Sequence, residues 1–220
     1  WSYVKPSCPG EGRSCFPRPK CFHRVRESSL SLDVQMDWEK LTADVVAATT
    51  AAFGSLMSER SGEHFYAFAL YTDEFAETIS PSANSVERFE AKVRDTGETD
   101  ELQIACYRWS SAEWAYEAWY SDSFAGIYRD LERHRKSLPD SELALASYKK
   151  SVHECMISAL ERMDENGFFS NRREEITLFI TSSCDDEAFV MENESAKRLN
   201  KDQIHLPFLN RYGDAYAGQS

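Results

Sequence analysis

The nine-residue run Phe65-Tyr66-Ala67-Phe68-Ala69-Leu70-Tyr71-Thr72-Asp73 constrains this chain more than any other stretch. Apolar side chains occupy both the odd and the even positions, so a strand built from it is apolar on each face. Such a strand is stable only with a covering layer on both sides, which predicts a central position in a sheet. The covering layers are legible nearby. Over Asp37–Arg60, the residues Trp38, Leu41, Val45, Ala48, Ala52, Phe53 and Leu56 recur at helical steps, with Gly62 just past the end. Over Ser141–Asn166, the residues Tyr148, Val152, Cys155, Met156, Ala159, Leu160 and Met163 do the same, and Gly167 stands as the C′ residue.

The remaining segments fill in the order. Glu175–Ser183 alternates Ile176, Leu178 and Ile180 and predicts another strand. A short strand is expected around Phe75–Ile79, followed by a turn at Pro81, Asn84 and Ser85. Ser85 then caps a helix carrying Phe89 and Val93. Leu102–Trp109 reads as a further strand, and an apolar stripe from Trp114 through Phe124, Ile127 and Leu131 reads as helix, interrupted near Ser121–Ser123. A last helix is expected over Glu187–Leu199, and the tail from Lys201 is expected to be loosely structured, with His205–Leu209 as its best candidate for packing on the body. Long helices with about four strands predict an α+β fold: a small, mainly antiparallel sheet packed with five or six helices in a single domain over residues 36–200. At 220 residues the chain is too short for two full domains.

Residues 1–35 differ from the rest. They hold four of the seven prolines, three of the six cysteines and no helical or strand periodicity, so they are expected to form an irregular extension outside the fold, with Met36 as the natural start. They carry six basic and three acidic residues; the chain's net charge of −12 therefore leaves −15 on residues 36–220. A field of that sign repels nucleic acid and anionic membrane and favours basic partners, although acidity also serves plain solubility. With no apolar run near the length of a membrane span and no leader-type segment, a soluble, cytoplasmic protein is expected.

Catalytic signatures are absent from the sequence. It contains no Gly-x-Ser-x-Gly, no Gly-rich phosphate loop and no His-Glu-x-x-His. Cys8, Cys15, Cys21 and His23 lack the spacing of a zinc site, and the five histidines share no ligand spacing. Cys106 and Cys155 fall on apolar patterns, while Cys184 precedes Asp185-Asp186, whose charge opposes thiolate formation. Adjacent acids such as Glu174-Glu175 and the pair Glu192 and Glu194 are expected by chance among 37 acidic residues. No cofactor and no metal is therefore expected.

One segment is distinctive: Arg108-Trp109-Ser110-Ser111-Ala112-Glu113-Trp114-Ala115-Tyr116. Ser110 with Glu113 has the spacing of a capping box, which predicts a strand-to-helix corner. Trp, Tyr and Arg dominate interface hot spots, so Arg108, Trp109, Glu113, Trp114 and Tyr116, together with Asn84, are the candidate partner- or ligand-binding residues; the same residues also serve as ordinary core and cap.

Taken with the strand from Phe65, the Ala83-Asn84-Ser85 step, Met156-Ile157-Ser158-Ala159-Leu160 and Gly167-Phe168-Phe169, this segment resembles the bacterial family called domain of unknown function 4303, over about residues 36–200. The resemblance implies a small intracellular bacterial protein of the kind found beside polymorphic toxins, where acidic proteins act as immunity factors. It implies no activity. The expectation is a non-enzymatic binding module for a basic toxin or other basic protein, with a ligand-binding protein or enzyme having a pocket at Trp109–Tyr116 as the alternative.

Overall fold

A computed structural model describes residues 36–183 and 185–213, without the side chains of residues 185–187. The expectations for residues 1–35, for Cys184 and for the last seven residues lie outside the described residues. The first helix, α1 (Trp38–Glu59), starts where the Asp37 carboxylate accepts the Lys40 N–H at 3.0 Å. Its apolar stripe of Leu41, Val45, Ala52, Phe53 and Leu56 is buried. By length and composition α1 could also cross a bilayer, which the sequence reading did not anticipate, but this stripe is committed to the core.

Four strands form one mixed sheet in the order β3-β2-β1-β4. β1 (Phe65–Thr72) runs antiparallel to β2 (Ile79–Ser85) and parallel to β4 (Thr177–Ser182). β3 (Tyr116–Glu117) adds only two residues, antiparallel to Ser82 and Ala83. As the two-faced apolar pattern requires, β1 is central. Phe68 and Leu70 face a large core with α1, with α4 (Ala125–Ser137) and with α5 (Glu142–Glu165). Ala67 and Ala69 face a smaller one, where their short side chains leave room for Trp114 and Phe208.

Around the sheet run α2 (Val86–Thr96), α3 (Glu101–Trp109), α6 (Asp185–Leu199) and α7 (Asp202–Leu209). The described residues thus hold seven α-helices, more than the five or six expected, within an α+β fold.

Four local expectations are corrected. Leu102–Trp109 is not a strand but helix α3, begun by the Asp100 carboxylate, which accepts the Gln103 N–H at 2.9 Å. The second strand is not Phe75–Ile79. That stretch turns around Asp73, whose carboxylate accepts the Phe75 N–H at 2.8 Å and the Thr78 hydroxyl at 2.6 Å, with Ala76 left-handed at φ 56°. Pro81, Asn84 and Ser85 are strand rather than turn, although Ser85 does cap α2 by accepting the Arg88 N–H at 3.2 Å. Residues 202–209 are not loose: they form α7, which buries His205 and Phe208.

Candidate functional site

The last turn of α3 delivers Arg108 and Trp109 over the second face of the sheet, and the chain then tightens into a 3-10 turn at Ser111–Glu113. The expected capping box does not form. The Ser110 side chain makes no capping bond, its N–H donates to the Cys106 carbonyl at 2.9 Å, and Glu113 turns instead to Lys92, whose ammonium donates to the Glu113 carboxylate at 2.6 Å and carbonyl at 2.8 Å. The predicted strand-to-helix corner is a helix-to-strand corner.

Its centre is the Arg108 carbonyl. That oxygen accepts the Tyr66 hydroxyl at 2.6 Å and the Trp114 indole N–H at 3.0 Å, which ties β1, α3 and the segment before β3 together. Asn84, buried in β2, donates to the Tyr66 hydroxyl at 3.0 Å. Burial pushes the Tyr66 phenol well above its ordinary value of 10, against the smaller opposing effects of Asn84 and Arg108, so it stays a protonated donor at neutral pH. The Arg108 side chain is exposed and lies 5.2 Å from the Tyr66 ring centre, 5.4 Å from Phe89 and 5.3 Å from Trp109. Three rings therefore hold one cation at the surface. Beneath it Trp109 meets Phe208 edge-on at 5.2 Å, and Trp114 meets Phe179 at 5.6 Å.

Tyr116 belongs to a second cluster where β1 begins and β2 ends. Its hydroxyl lies 2.7 Å from both Glu63 oxygens and donates to that carboxylate, which also accepts the Ser85 hydroxyl at 2.6 Å and the Arg88 Nε at 3.1 Å. Desolvation opposes ionisation of Glu63, but these hydrogen bonds and the Arg88 charge win and hold its carboxyl below the ordinary 4.5. Burial, followed by the hydrogen bond to Glu63, pushes the Tyr116 phenol up.

The structure thus brings together Asn84, Arg108, Trp109 and Trp114 through Tyr66, and places Glu113 and Tyr116 in separate polar contacts. Arg108 and Glu113 do not pair with each other. Sequence reasoning missed Tyr66, Phe89 and Lys92, which complete these contacts from distant positions; only the aromatic density of Tyr66 and Phe89 signalled them. Burial raises the Cys106 and Cys155 thiols, leaving both poor nucleophiles. Among the described residues no cluster of three or more metal-ligating side chains occurs.

The model of the family described as "Domain of unknown function (DUF4303)" matches residues 45–201, most of the chain, including every hydrogen-bonded residue of both clusters. The chain belongs to the DUF4303 family. No curated protein and no solved structure matches it. Within this DUF4303 chain the matched span opens inside α1 and closes just before α7, so the helix that supplies Phe208 beneath Trp109 lies beyond it.

Proposed function

We propose that this DUF4303 protein is a cytoplasmic, non-enzymatic binding module of the toxin-immunity type, which occludes a basic toxin or other basic protein. The observation that carries the reading is the charge of −15 on residues 36–220. Part of it is concentrated at the α2–α3 turn, where Asp95, Glu98, Asp100 and Glu101 fall within seven residues. Such a field steers a cationic partner into encounter and fixes its orientation. Arg108 on its aromatic bed supplies a residue combination suited to the contact itself. A ligand pocket at Trp109–Tyr116 has less support, because Trp114 and Tyr116 are buried and the Trp114 N–H is engaged by the Arg108 carbonyl.

The reading is tested by immobilising the tagged full chain, loading lysate of its source cells at low salt and eluting at high salt. The expected result is one basic protein released by salt, toxic when expressed alone and neutralised when this chain is expressed with it. Retention of no basic protein at low salt, or of a partner whose toxicity persists on co-expression, overturns it.

A further inference from the structure

In a body so acidic, an arginine without an acidic partner is conspicuous, and Arg60 is one. It caps the C-terminus of α1, and its guanidinium carbon lies 6.0 Å from the ring centres of both Tyr116 and Trp119. Among the described residues that guanidinium has no hydrogen bond or ion pair, and its Nε is buried without a partner. The acids next to it in sequence are engaged elsewhere. Glu63 is taken by Tyr116, Ser85 and Arg88, and Glu59 accepts the Ser55 hydroxyl at 2.7 Å.

Trp119 repeats the pattern. Its indole N–H is also buried without a partner. The residues on either side of it, Ala118 at φ 52° and Tyr120 at φ 60°, are both left-handed without being glycine, a conformation that costs free energy and persists where the surroundings impose it. Tyr120 is 55% exposed, so this strained segment lies at the surface. Buried donors left unpaired are destabilising, whereas the flat fork of a guanidinium matches the two oxygens of a carboxylate, and a neighbouring indole N–H is a further donor to the same group.

We propose that Arg60 and Trp119 form a binding site for a carboxylate, supplied by a small organic acid or by an acidic side chain of a partner. The Ala118–Tyr120 segment shifts to admit it, since both unpaired atoms are closed off from solvent. Arg60 supplies the charge and Trp119 the second donor, while Arg88 stays on Glu63. The site is cationic and does not depend on the acidic surface steering a basic protein, so either reading stands without the other.

The test is an amide and indole NMR spectrum of the isotopically labelled full chain, in which each of the five tryptophans gives an indole N–H signal. Sodium acetate is titrated against sodium chloride at equal ionic strength, and glutamate blocked at its amino and α-carboxyl groups is titrated separately. One indole signal, missing in Trp119→Phe, is expected to shift to saturation with acetate and not with chloride. Arg60→Gln is expected to weaken that binding by about tenfold or more. If Arg60→Gln folds poorly, Arg60→Lys, which keeps the charge and loses the fork, is expected to weaken it too. A response to blocked glutamate as strong as that to acetate assigns the site to a side chain, and a response to acetate alone assigns it to a small acid. No saturating shift of the Trp119 signal with acetate, an equal shift with chloride, or full binding in the Arg60 variants overturns the proposal.

Discussion

Asn200 pairs with the backbone of Leu178 through both ends of its amide: its Oδ1 accepts the Leu178 N–H at 2.9 Å and its Nδ2 donates to the Leu178 carbonyl at 2.7 Å. Two residues along the strand, the Ser195 hydroxyl accepts the Ile180 N–H at 3.0 Å. β4 has β1 on one side only, and the outward-facing backbone groups of its free edge are satisfied by side chains at the end of α6 rather than by another strand. That arrangement closes an edge which would otherwise invite pairing with a second chain.

Asn200→Leu should therefore destabilise the fold by about 2–4 kcal/mol, because it leaves a buried N–H and a buried carbonyl unpaired. Urea denaturation measures the loss, and faster hydrogen exchange at the Leu178 amide would locate it. A change of only a few tenths of a kcal/mol would mean that water replaces the amide at this edge.

α7 supports a similar argument from packing. Phe208 is fully buried, 4.8 Å from the Phe179 ring and 5.2 Å from Trp109, whereas Leu206 two residues earlier is half exposed. Phe208→Ala should cost about 3–5 kcal/mol. Leu206→Ala should stay within about 0.5 kcal/mol. Thermal melts of the two variants side by side test whether α7 is integral to the fold.

The legible parts of the sequence were those where one pattern ran long. α1, α5, β1 and β4 each repeat a single period over several turns or steps, and all four stand close to their expected bounds. In α3, Leu102, Ile104 and Cys106 alternate as a strand would, yet the Asp100 cap decides for helix; α3 lies on the surface with no fully buried residue, so its periodicity carries little information. In β2, Ser80, Pro81, Ser82, Asn84 and Ser85 look like turn chemistry. These small residues are all buried, and β3 pairs only with Ser82 and Ala83, so Pro81, which lacks an N–H, sits outside that pairing. At the candidate site the residue types were legible but their partners were not. The contacts of Arg108 with Tyr66 and of Tyr116 with Glu63 span 42 and 53 positions, and no local pattern encodes them.

Acid sensitivity should track Glu87. Its carboxylate accepts the His64 backbone N–H at 2.8 Å and contacts the His64 imidazole at 2.6 Å. Desolvation opposes ionisation, but these hydrogen bonds prevail and lower its pKa to about 2. A carboxyl lowered in the folded state stabilises fully above its unfolded value, near 4.5, and loses that contribution as pH falls toward the folded value. Wild type should therefore exceed Glu87→Gln in stability at neutral pH, and the gap should close between about pH 4.5 and pH 2. Denaturation midpoints of both proteins across that range provide the check; a gap that stays constant with pH would assign it to packing instead.

The buried pair of Glu192 and Arg211 gives a pH dependence of the opposite sign when it is broken. Arg211 donates to Glu192 at 2.7 Å and to Asn193 at 2.6 Å, and its guanidinium lies 4.0 Å from the Phe208 ring centre; Thr181 donates to the other Glu192 oxygen at 2.6 Å. Burial pushes the Glu192 carboxyl above its ordinary value, while Arg211 and Thr181 pull it back. Arg211→Met removes the opposing charge and leaves Glu192 buried without its ion-pair partner, for a loss of about 3–5 kcal/mol at neutral pH. In that variant the folded pKa rises further, and a carboxyl raised in the folded state loses stability as pH climbs from its unfolded value toward the folded one. The deficit of Arg211→Met should therefore be small near pH 4.5 and grow as the pH rises above it, as the buried Glu192 carboxyl loses its proton. Adding Glu192→Leu should recover most of it at neutral pH, because no unpaired charge then remains buried. A deficit that the second substitution leaves in place would show that Arg211 acts through its contacts with Phe208 and Asn193 rather than through its charge.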